Sequence, residues 1–347
     1  MKQKISSLLG IALSLILVSG AAAPAAAAES PAPSAAKMSW DVSQDLISNI
    51  PKGGLRPGSI EGEWTVMALA RAGYHLPNVY QTYVQNVTDE VKNGKGVLAD
   101  CKCTEASRTV LGLTAVGRDP RKIGGYNLLQ PLADFDQVAS QGINGPVWAL
   151  IALDSGKYAM PQLQSAGKTQ NSRKKMVDEI LSEEIGRGTG SAGGWALDGS
   201  VPDPDITAMA LEALSNYRAR SDVCAAVDRA VHTLSAMQKD DGGYASWGAE
   251  NPESTAQVIV ALTSLGISPV RQDFVKSGHT LIGALSAYYL PGQGFRHSLS
   301  DSSANAMAND QCAYALAADL RFQANQNPLY NMTDGAPTAS SWPFYPG

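Results

Sequence analysis

Histidine and cysteine are scarce in this chain, four of each among 347 residues. No Cys-x-x-Cys pair or clustered His set is present, so no metal centre is expected. Cys101, Cys103, Cys224 and Cys312 are too few to form the disulfide framework of so long a chain. Their pairing is left open by the sequence, although a Cys101–Cys103 bond would close a very small, strained ring. Basic charge is also short: 27 Lys and Arg stand against 32 Asp and Glu, and no basic stripe gathers them, which excludes nucleic acid as an expected partner. No stretch alternates apolar and polar residues for long enough to predict a sheet. Long apolar runs are confined to Ile5–Val18, which follows Lys2 and Lys4 and leads into an Ala-rich stretch. That pattern predicts a signal peptide over residues 1–28, cleaved after Ala28, too short for a comfortable membrane span. With no Cys after the run and no second one, no lipoprotein signal or stable membrane anchor is expected, and the protein is expected to be secreted. Residues 29–38, rich in Ala, Pro and Ser, read as a flexible leader. Residues 39–335 read as the folded domain and 336–347 as a C-terminal tail.

What the chain does have is recurrence. Gly193-Gly194-Trp195 leads to Asp203-Pro204, Gly242-Gly243-Tyr244 to Asn251-Pro252, and a looser copy runs from Gly294-Phe295 to Asn305. Each cap stands eleven residues before a helical leucine: Leu214, Leu262 and Leu316. Repeats of this length are stacked supersecondary units, because one unit cannot bury its own apolar face. Two kinds of helix alternate. Residues 223–237 carry one stripe, Val223, Val227, Val231 and Leu234, whereas residues 256–265 are apolar nearly all round. A helix apolar on every side is buried on every side. The fold class is therefore all-α: an α/α toroid with inner and outer rings of about six helices each. Inner helices are predicted at about 60–72, 105–116, 146–155, 204–216, 252–265 and 306–320. Asp203 and Asn251 supply cap oxygens, and Pro204 and Pro252 fill the first helical position, where no N–H is required. Every inner helix then enters the same way, and their positive dipole ends gather at one mouth.

At these residues the chain resembles the prenyltransferase and squalene-cyclase repeat: Gln238-Lys-Asp-Asp-Gly242-Gly243-Tyr244 looks like its Gln-x-x-x-Gly-x-Trp signature. Val201-Pro-Asp-Pro-Asp-Ile-Thr-Ala-Met-Ala210, Asn251-Pro-Glu-Ser-Thr-Ala-Gln257, Gln141-Gly-Ile-Asn-Gly-Pro-Val-Trp148 and the ending Leu329–Asp334 resemble secreted repeat proteins of Gram-positive bacteria. Those are similar to the α-domain of the cobalamin carriers transcobalamin and intrinsic factor. No cofactor is expected; the resemblance implies a corrinoid as one possible ligand, and a separate partner protein as one way to complete the site, since the carriers' small β domain is missing here.

The mouth supplies the candidate residues. Asp203-Pro-Asp205-Ile206-Thr207-Ala208 invites comparison with the acid motif of class II terpene cyclases, but Ile206 replaces its last Asp, and a helix start favours carboxylate over the protonated acid. Asp222-Val223-Cys224 has the zinc spacing of protein prenyltransferases, yet it falls on an outer helix. Glu253 occupies the position of Asp205 one repeat later, and neighbouring inner helices would set the two carboxylates about 8–10 Å apart. Inverting glycosidases use a comparable separation; two dipole-favoured first-turn acids are the structural alternative. Trp64, Trp148, Trp195 and Trp247 lie at or near inner-helix starts as a ligand platform or as turn packing. Gln257, Asn309 and Gln311 offer polar contacts, Gln257 and Gln311 at one repeat position. The reading that follows is a non-catalytic binding module whose mouth accepts a small molecule, peptide or glycan, with Trp64, Trp148, Trp195, Asp205, Trp247, Glu253, Gln257 and Asn309 as ligand-binding residues. The alternative is an enzyme, a glycan hydrolase or lyase or a reduced terpene-cyclase-like isomerase, with Asp205 and Glu253 catalytic.

Overall fold

The computed structural model describes residues 33–58, 62–98, 102–341 and 343. The expected signal peptide, residues 1–28, and Cys101 lie outside the described residues.

Six helices form the inner ring: α2 (Glu63–Arg71), α4 (Cys103–Ala115), α6 (Asn144–Ser155), α8 (Pro204–Leu214), α10 (Pro252–Ser264) and α12 (Ala306–Gln323). Each packs on the next and α12 packs on α2, so the ring closes. Around it run α1 (Ala35–Ser48), α3 (Pro77–Asn93), the short α5 (Phe135–Ala139), α7 (Arg173–Ser182), α9 (Ser221–Met237) and α11 (Leu281–Tyr288). This is an α/α toroid. The two helix types take the rings their patterns demand. In α10 every residue from Pro252 to Thr263 is buried, whereas α9 buries only the stripe of Val223, Ala226, Val227, Ala230, Val231 and Leu234. Each Leu, Ile or Val taken fully from water contributes about 1.5–3 kcal/mol, so the all-round helices belong in the middle.

The punctuation is built as its residues require. Asp203 accepts from the amides of Asp205 and Ile206, Asn251 from Ser254, and Asn305 from Met307 and Ala308. Asn251→Ala is expected to lower stability by about 1 kcal/mol, read as a shift in the urea midpoint at constant slope. Behind each cap the turn aromatic is pinned. The Trp195 amide donates to Thr207 Oγ1 (2.9 Å) and its indole N–H to the Ile180 carbonyl (2.7 Å); the Tyr244 amide donates to Thr255 Oγ1 (3.2 Å) and its hydroxyl to the Leu234 carbonyl (2.7 Å). Gly194 lies at φ +85, and a Cβ there would stand 2.8 Å from Pro202 Cβ, so glycine is required for the close return of the chain. Two short antiparallel hairpins complete these turns: β1 (Tyr244–Ser246) with β2 (Ala249–Asn251), and β3 (Tyr289–Leu290) with β4 (Gly294–Phe295).

The opposite end of the barrel is closed by residues 326–334. Arg71, at the end of α2, donates to Asp334 (2.7 Å) and to the carbonyls of Pro328 and Asn331 (3.0 Å each). Arg321, near the end of α12, donates to the Asn327 carbonyl (2.8 Å) and pairs with the same Asp334. The Met332 amide bonds to the Ser155 carbonyl at the end of α6 (2.9 Å). Both arginines are buried, and two guanidiniums sharing one carboxylate hold the segment across the ring.

One boundary is corrected. Helix α1 starts at Ala35, inside the stretch expected to be a flexible leader. Ser34 caps it, and Met38 and Val42 are fully buried against the core, which orders a segment whose composition alone suggests freedom.

Candidate functional site

The mouth gathers carboxylates because inner helices begin there. Asp205, in the first turn of α8, is half-buried, and its Oδ1 has no hydrogen-bond partner. Its pKa is raised to about 6: burial is the main cause, the nearby Asp203 and Glu253 charges add to it, and the hydroxyls of Ser254 and Ser246 oppose it. Glu253, at the same place in α10, is buried, accepts from His297 Nδ1 at 2.8 Å through Oε1, and leaves Oε2 unpartnered. Burial lifts its carboxyl above the usual range and His297 counteracts that. Asp203 is committed to its cap and also accepts from Ser246 Oγ at 2.6 Å. The pair of acids expected from the repeat thus stands in one electrostatic neighbourhood, one shared with His297 and one free on one oxygen.

Histidine 297 did not emerge from sequence reasoning, although a signal exists. It stands two residues after the turn aromatic Phe295, as Ser246 stands two after Tyr244. Both reach back to an acid at the start of the preceding inner helix, Ser246 to Asp203 and His297 to Glu253.

The four tryptophans separate. Trp64 and Trp148 are half-buried, with ring centroids 5.3 Å apart; Tyr314 lies 5.9 Å from Trp64, and Tyr330 meets Trp148 edge-on at 6.1 Å. Together they form an aromatic layer that joins α2, α6 and α12 to the closing segment. Trp195 is 0% exposed and its indole N–H is already bonded, so it packs the turn and is not available to a ligand. Trp247 is the reverse: 79% exposed, at the tip of the first hairpin, with φ +51. A left-handed backbone suits Asn or Gly at such a tip, and an indole there is held at a cost in both strain and exposure.

The amides are mainly structural. Asn309 occupies the place of Thr207 and Thr255, four residues past the cap; it accepts from the Phe295 amide (2.5 Å) and donates to Asp45 (2.8 Å) and the Gln293 carbonyl (3.2 Å). It therefore ties down the third turn, which corrects its expected role as a ligand contact: its amide group is already engaged. It also borders a cavity of about 330 Å³ between α1, α2 and α12. Gln257 donates to Gln311 (3.0 Å) and to the Tyr314 hydroxyl, linking α10 to α12, while its Oε1 stays unpartnered. Cys312 is buried among the wall residues, and Cys103, Cys224 and Cys312 are unbridged. Among the described residues no three His, Cys, Asp or Glu side chains converge as a metal site, and no helix is long and apolar enough to cross a membrane.

No protein-family model matches the chain, and no curated protein matches it. Solved structures do. An unsaturated glucuronyl hydrolase from Bacillus sp. GL1, described as responsible for the degradation of glycosaminoglycan, aligns over 85% of this chain and 97% of its own, with TM-score 0.51 and 10% identity. A UGL variant with the saccharide dGlcA-Glc-Rha-Glc aligns over 85% and 98%, with TM-score 0.54 and 10% identity. At such identity the likeness is one of fold, and the fold is the α/α toroid. It corrects the family reading: the structural neighbours are glucuronyl hydrolases, not cobalamin carriers or squalene-cyclase-like proteins. In this chain the repeat punctuation that suggested those families caps and turns the backbone from an outer helix into an inner one. The corrinoid ligand rested on the carrier resemblance and falls with it, and the non-catalytic binding module is corrected as well, because the solved structures alike in fold are glycan-degrading hydrolases, which favours the enzyme alternative.

Proposed function

We propose that the protein is a glycan-cleaving enzyme, a hydrolase in the first instance, working at the mouth of the toroid. The observation that carries this is Asp205: a half-buried carboxyl with one unpartnered oxygen and a pKa raised to about 6, facing the start of the next inner helix with its own acid. A general acid must hold its proton near the working pH, and burial beside like charges is how a carboxyl is tuned to do so. Asp205 donates the proton to the departing or unsaturated sugar, and Glu253, oriented by His297, serves as its partner base toward water. Trp247 at the rim and the layer of Trp64 and Trp148 below offer faces on which sugar rings stack. Glycan substrates of the neighbours agree with this class. The N-terminal segment, with Lys2, Lys4 and Ile5–Val18, supports action outside the cell.

The test incubates the purified protein with a panel of neutral, uronate-bearing and unsaturated-uronate oligosaccharides. Reducing ends and the ultraviolet absorbance of the conjugated uronate double bond are followed together. New reducing ends without new absorbance identify a hydrolase, rising absorbance a lyase, and falling absorbance hydration of an unsaturated terminus. No product from any member of the panel overturns the proposal.

A further inference from the structure

Below the aromatic layer, toward the closed end, the barrel holds a second polar place. Glu212, on α8, is 4% exposed, and neither of its carboxylate oxygens has a hydrogen-bond partner. Ser264 Oγ, at the end of α10, and the Tyr330 hydroxyl, on the closing segment, are buried and unpartnered as well. All three residues border one cavity of about 50 Å³.

The charge there is unmatched. Asp154 borders the same cavity, but Arg173 Nε bonds its Oδ1 and the Tyr217 hydroxyl its Oδ2, each at 2.7 Å. No cationic side chain pairs with Glu212 among the described residues. A carboxylate buried alone is so unfavourable that it takes up either a proton or a positive ion. Three features favour the ion. The unpartnered atoms are all oxygens, the donor type of hard cations. They belong to residues of α8, α10 and the closing segment that line one space. That space is large enough to admit a small ion, since about 10–15 Å³ of such volume already holds one water. One carboxylate is too little charge for a typical all-protein divalent site, but it balances a monovalent ion.

We propose that this cavity is a binding site for one monovalent cation, sodium or potassium, held between the Glu212 carboxylate, Ser264 Oγ and the Tyr330 hydroxyl. The ion ties α8, α10 and the closing segment together, in addition to the bonds that Arg71 and Arg321 make to that segment. The site is separate from the mouth and does not depend on the reaction proposed there.

The full chain is unfolded by heat in sodium, potassium or tetramethylammonium chloride at one ionic strength; the last ion is too large for the cavity. Sodium or potassium is expected to raise the midpoint saturably by roughly 2–4 °C over tetramethylammonium. The rise is expected to vanish in Glu212→Gln and to need a higher salt concentration in Ser264→Ala and Tyr330→Phe. Equal midpoints in all three salts overturn the proposal, as does an undiminished rise in Glu212→Gln. Should Glu212→Gln not fold, unchanged half-saturation in both other variants overturns it. Crystals soaked in thallium(I) provide the direct reading: an anomalous peak between the three side chains supports the site, and none there overturns it.

Discussion

Asp205→Asn is expected to reduce glycan turnover by about 10²–10⁴-fold, the usual contribution of a positioned proton donor. It should do so without loss of stability. The Asp205 carboxyl has a pKa of about 6 against the ordinary 3.8, so it binds its proton more tightly in the folded chain. Its contribution to stability is complete below 3.8 and is lost as pH rises through about 6. At neutral pH the ionised group opposes folding, and an uncharged amide of the same shape removes that opposition. The wild-type rate should fall as pH rises past about 6, because the donor is then deprotonated. Initial rates across pH, with thermal midpoints of both proteins, check all of this. An Asn variant within tenfold of wild type would place the proton donor elsewhere.

Trp195→Ala is expected to cost about 3–5 kcal/mol, the range for truncating a large buried aromatic. Trp195 is fully buried, its indole N–H bonds the carbonyl of Ile180 on α7, and its amide is fixed by Thr207 on α8. The truncation removes an outer-to-inner wedge and orphans a carbonyl together. Trp247→Ala, by contrast, should change stability by no more than about 0.5 kcal/mol, the usual bound for an exposed position. Urea unfolding of the two variants side by side measures the contrast. Equal losses would mean that burial does not distinguish the two indoles.

The repeat register separates the two tryptophans: Trp195 is itself the turn aromatic, in the place of the buried Tyr244 and Phe295, whereas Trp247 stands three residues past that place at a hairpin tip. The inner helices were legible to within a few residues, as at 252–265 against Pro252–Ser264. There the cap, the proline and the all-round apolar surface agree, and agreement between local and global signals is what makes a segment readable. The acids at 205 and 253 were found by repeat position. His297 was missed because its copy of the turn is degenerate, with Gly294 preceded by Gln293 instead of a second glycine. Asn309 was misread for a related reason: it replaces the Thr of the other copies, and an exposed-looking amide hides the same tethering duty. Glu212 carried a signal that was not used: it lies inside 204–216, a helix expected in the buried inner ring, where an acid is out of place.

The contact of α12 with α2 turns a row of repeats into a loop of them. In an open array each unit leans on neighbours along a line, terminal units need polar caps, and units can be removed or added with proportional loss or gain. A closed array has no terminal unit. Excising one helix pair would leave two apolar walls facing each other across a gap that the remaining curvature cannot span, so the number of pairs is fixed by geometry. Unfolding, likewise, has no frayed end at which to begin, and the barrel should open as one cooperative event.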